Sequence, residues 1–98
     1  KLEYYIFRNE KVITSVISKL YANVISELYN ENPSKFMLTE LKDIISLTSN
    51  RDALLRATPI SNTYFIEANM DSNKKIKKLK QVLQIFDMED ELLLKYKQ

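Results

Sequence analysis

The chain has 98 residues, 45% of them hydrophobic, with 15 basic and 13 acidic side chains, and no cysteine, histidine or glycine. That composition supports one small core, and it excludes disulfides, zinc sites built on Cys or His, nucleophile-imidazole catalysis and glycine-dependent phosphate loops. The net charge of +2 gives no general attraction to nucleic acid or anionic membrane, and no apolar run is long enough to span a bilayer.

Residues 1–8, KLEYYIFR, set Leu2, Tyr4 and Ile6 against Glu3, Tyr5 and Phe7, which predicts a short strand. Residues 12–29, VITSVISKLYANVISELY, then place a pair of apolar or aromatic side chains at every fourth position. This spacing predicts a long helix from Asn9 to Asn30, ended by Asn32-Pro33. Lys19 and Glu27 are its only charges within 12–29, so its apolar face is expected to exceed what one small core covers. Val12, Val16, Val24 and Ile25 are therefore the candidate protein-contact residues.

A second helix is predicted from Thr39, as N-cap, to Leu47, with Leu41, Ile44, Ile45 and Leu47 on its buried face. Ser49 and Asp52 have the spacing of a capping box and predict a third helix over Asn50 to Ala57, stopped by Pro59. Tight hairpins are disfavoured without glycine, and a single strand, 63–70, is predicted next, with Tyr64, Ile66, Ala68 and Met70 on one face. A last helix, capped by Asp71 or Ser72, carries the stripe Ile76, Leu79, Val82, Leu83 and Phe86 among Lys74, Lys75, Lys77, Lys78 and Lys80. The run Asp87, Glu89, Asp90, Glu91 fits a helix start or a solvated face better than an oxygen-only metal site, and LLLKY is read as further helix. The expected fold is α-rich with minor β, with about four helices and a short two- or three-stranded sheet; an all-α bundle is the alternative. The whole of 1–98 reads as one domain and, since it begins at Lys1, as part of a longer protein.

The order of elements over Phe36 to Ala57, FMLTELKDIISLTSNRDALLRA, resembles winged-helix domains of the helix-turn-helix class. In that comparison Phe36 to Leu38 resembles the first strand, Thr39 to Leu47 the supporting helix and Asn50 to Ala57 the recognition-position helix. The strand at Tyr64 to Met70, followed by a lysine-rich helix, looks like the end of the winged-helix domains that close origin-recognition and chromatin-silencing AAA-type proteins. The resemblance implies an intracellular, nuclear, chromatin-associated setting.

The expected function is non-enzymatic: protein association, chiefly homodimerisation, with no cofactor, metal or small-molecule substrate. One alternative is direct DNA or RNA binding by Arg51, Arg56, Lys74, Lys75, Lys77, Lys78 and Lys80, each cation neutralising a phosphate. Another is a helical bundle similar to small bacteriocin immunity proteins or viral host-factor-binding proteins.

Overall fold

A computed structural model describes all of Lys1–Gln98 and shows a mixed α and β fold. Strands β1 (Leu2–Phe7), β2 (Glu10–Ile13) and β5 (Leu92–Tyr96) form an antiparallel sheet in the order β2-β1-β5. Helices α1 (Ile17–Glu31) and α3 (Ser72–Ile85) pack together over the inner side of that sheet, with α2 (Thr39–Ile45) against α3. Strands β3 (Ala57–Pro59) and β4 (Phe65–Glu67) make a separate antiparallel pair. There are three α-helices where about four were expected, and two small sheets where one was expected.

The predicted first strand is present, but its inward residues are Leu2, Tyr5 and Phe7. A register shift between Leu2 and Tyr4 places one extra residue, Glu3, in β1 and reverses the alternation after it. The predicted helix start at Asn9 is corrected. Arg8 and Asn9 both have positive φ, 55° and 70°, and form the two-residue turn of a hairpin into β2. Asn tolerates that region without glycine; Val12, Ile13 and Thr14 favour extended backbone. The helix begins only at Ile17, after the Val16 N–H donates to Thr14 Oγ1 at 3.1 Å.

From there the four-residue period holds, with Leu20, Tyr21, Val24, Ile25 and Leu28 all buried. Of the segment expected as a strand at Phe36 to Leu38, Phe36 and Met37 belong instead to a 3-10 helix, Pro33–Met37, and Leu38 follows its end. Phe36 is buried there, edge-on to Tyr29 at 5.3 Å between centroids. Helix α2 starts at Thr39, with Leu38 in the cap position and no side-chain cap, and ends at Ser46 in the left-handed region. Leu41 and Ile45 are buried and Ile44 and Leu47 half-buried, as the spacing predicts.

The predicted third helix is a single 3-10 turn, Arg51–Ala53, capped by Asn50 Oδ1 on the Asp52 N–H at 3.1 Å. The chain then enters β3, which pairs Ala57 with Glu67, Thr58 with Ile66 and Pro59 with Phe65. Thus two strands, not one, follow the turn, joined by a loop without glycine that Ser61 Oγ holds by accepting from the N–H groups of Thr63 and Tyr64. Asp71 caps α3 by accepting from the Lys74 N–H at 2.8 Å. Asp87, with φ 56°, follows the end of that helix, and LLLKY is strand β5, not helix.

Candidate functional site

The expected contact residues separate. Val24 and Ile25 are 1% and 0% exposed in this chain's own core, so no partner reaches them; Val12 lies half-buried on β2 and Val16 is exposed just before α1. The surplus apolar surface expected on α1 is absent because α3, β1 and the 3-10 helix Pro33–Met37 cover it. The apolar side chains left in water are on other elements: Leu55 at 85%, Ile13 at 80%, Leu93 at 53%, Leu38 at 49%, and Met37 and Tyr96 at 45%.

The lysines of α3 also divide. Lys75 is buried and its Nζ donates to the Met70 carbonyl at 2.9 Å, holding the turn before the helix. Lys78 Nζ donates to the Ile44 carbonyl at 2.7 Å, where an ammonium meets the carboxyl-terminal end of α2 and its partial negative charge. Lys74, Lys77 and Lys80 remain exposed. Arg51 sits 5.6 Å from the Phe65 ring centroid, and Arg56 is exposed on the neighbouring loop.

That loop is held by Glu67, a residue whose role the sequence does not reveal. Its carboxylate accepts from the N–H groups of Leu55 and Arg56, both at 2.8 Å, and of Asn69 at 3.1 Å. The Leu55 N–H, with the other backbone donors, holds the Glu67 carboxyl below its ordinary pKa although partial desolvation opposes the shift. Amides that a helix over 50–57 would direct along its own axis are thus captured from across the β3-β4 pair. No group of three His, Cys, Asp or Glu side chains gathers to hold a metal ion, and no helix is long and apolar enough to cross a membrane.

Strand β5 is where three features meet. It pairs with β1 on one side only. The Arg8 N–H donates to the Glu91 carbonyl at 2.9 Å, and antiparallel alternation then turns Leu93 and Lys95 toward β1. The N–H and C=O groups of Leu92, Leu94 and Tyr96 consequently point to the open edge. Beside that edge an apolar groove of about 230 Å³ runs between β5 and α3, floored by Leu92, Leu94, Ile76, Leu79 and Leu83. Small-molecule sites usually have about 300–1,000 Å³; this groove suits inserted side chains.

The opposite edge, β2, offers less. Two of its four residues, Glu10 and Lys11, are charged, and Lys11 Nζ lies over the Tyr4 ring at 4.2 Å, a charged edge of the kind that discourages strand pairing. Comparison with known protein families, curated proteins and solved structures gives no significant match.

Proposed function

We propose that this chain is a non-enzymatic protein-association module, and that it self-associates through strand β5 and the groove between β5 and α3. The observation that carries this reading is the coincidence, on one strand, of an unpaired backbone edge, the exposed side chains Leu93 and Tyr96, and an adjoining apolar floor. Scattered exposed apolar residues such as Ile13 and Leu55 are ordinary on small proteins. An open edge beside an apolar groove is the arrangement that accepts another strand, with main-chain hydrogen bonds giving affinity and alternate side chains entering the groove. Of the winged-helix resemblance over Phe36 to Ala57 only the supporting helix, Thr39–Ile45, is formed, so a setting within a nucleic-acid-associated protein rests on the exposed cations alone. Sedimentation equilibrium tests the reading: a concentration-dependent dimer is expected, and a strict monomer at high micromolar concentration removes it.

A second reading, nucleic-acid binding, is supported by one observation. Lys74, Lys77 and Lys80 stay exposed at three-residue spacing on α3, on a common side of the helix. On this reading binding weakens steeply with salt, since each phosphate contact releases counterions. Changing Lys77 and Lys80 to Glu abolishes it; absence of any binding at low salt disposes of it.

A further inference from the structure

Resting on the reading that β5 is the contact strand, we infer that the strand it takes up is β5 of a second copy, antiparallel, about a twofold axis through Leu94. Two three-stranded sheets then join edge to edge.

The basis is the charge and face pattern of the strand itself. The residues entering it, Glu89, Asp90 and Glu91, are acidic, and Lys95 and Lys97 near its far end are basic. A parallel copy sets like charges side by side; an antiparallel copy sets opposite charges together. With the axis at Leu94, Leu92 faces Tyr96 of the second copy, Leu93 faces Lys95 and Glu91 faces Lys97. Alternation then keeps the apolar pairs on the inner, helix-covered side and the Glu-Lys pairs on the outer side.

Other registers fail on the same grounds. A slip of one residue sets an amide that points to the open edge against one turned toward β1. A two-residue shift toward the carboxyl end places Lys95 against Lys95. The same shift toward the amino end requires Asp90 to exchange main-chain hydrogen bonds with Tyr96 and sets its carboxylate beside that ring, and Asp90 lies within the 3-10 turn Glu89–Glu91 and not in a strand. With the axis at Leu94, by contrast, Glu91 only faces Lys97 and makes no main-chain bond to it. In the remaining register Tyr96 of the second copy lies beside Leu92, over the groove between β5 and α3, so the exposed phenol ring of each copy is covered by the other.

The test is dimerisation by sedimentation equilibrium of the whole chain, its Glu91→Lys and Lys97→Glu variants, and the two changes combined. Both residues are exposed, and circular dichroism melts at low concentration check that each variant folds as the parent does. Each single change sets like charges together at two symmetry-related places, so a weakening of about tenfold is expected, and the combined variant regains the parental affinity. Singles that dimerise like the parent overturn the inference and leave self-association standing. A combined variant as weak as the singles overturns the register. A parent that is monomeric throughout overturns the inference together with the reading beneath it.

Discussion

Helix α1 turns Leu20, Tyr21, Val24, Ile25 and Leu28 into a core that its own chain closes, whereas β5 leaves Leu93 and Tyr96 in water and one backbone edge without partners. Both segments are rich in large apolar residues, and the difference lies in what surrounds them. A helix satisfies its backbone internally, so covering its apolar face completes it. A strand at the end of a sheet leaves one row of backbone groups to water or to a neighbour. Apolar density therefore locates the interior, and on the proposed reading the unpaired edge of β5 is where a partner would add.

The strongest way to break this contrast is truncation at the closed end. Ile25→Ala is expected to destabilise the fold by about 2–5 kcal/mol in denaturant titrations, as fully buried aliphatic side chains do. Leu93→Ala is expected to shift monomer stability by less than about 0.5 kcal/mol while loosening association. Equal effects would erase the distinction.

A second comparison, between two lysines of one helix, sharpens it. Lys78→Met removes the donor to the Ile44 carbonyl and is expected to lower stability by about 1–2 kcal/mol, measured by thermal unfolding. Lys77→Met, on the exposed face, is expected to change it by less than about 0.5 kcal/mol.

The core itself holds one imperfection. The Tyr21 hydroxyl is buried without a hydrogen-bond partner, and burial raises its pKa to about 12. Tyr21→Phe is expected to leave stability unchanged or raise it by up to about 1 kcal/mol; a clear loss in the same titration would show that the hydroxyl is satisfied.

Much of this was legible in the sequence. The apolar period from Ile17 onward, the stripe of α3 with its Asp71 cap, and the alternation around Ile66 depend on local spacing and appear where the residues place them, although the strand expected over 63–70 is formed only at Phe65–Glu67. The main errors lie where strand pairing overrides local spacing. Val12 and Ile13 continue the apolar pattern of α1 but pair with β1 across the Arg8-Asn9 turn, and LLLKY consists largely of residues that favour helix until β1, far away in the chain, takes it as a strand. Residues 50–57 carry helix-start signals that Glu67 overrides from eleven and twelve positions away. Of the candidate site, only the acidic run before LLLKY stood out in the sequence, whereas the strand geometry, the balancing Lys95 and Lys97 and the groove beside them did not.

The smallest expected effect is local and follows pH. Because the folded-state pKa of Glu67 is depressed, its hold on Leu55 and Arg56 is fully present above the ordinary value of 4.5 and is lost as pH falls from there through the lowered pKa. Amide shifts of Leu55, Arg56 and Asn69 are expected to move together on acidification, and to be insensitive to it in that range in Glu67→Gln. Shifts that stay independent of Glu67 would show that the loop is held some other way.

Amide hydrogen exchange at Leu92, Leu94 and Tyr96, followed from dilute to concentrated solution, addresses the open edge most directly. Protection of these three is expected to rise with concentration, while Leu93 and Lys95, bonded to β1, are protected throughout. Exchange at Leu92, Leu94 and Tyr96 that is fast and identical at every concentration would contradict the assignment of β5 as the contact strand.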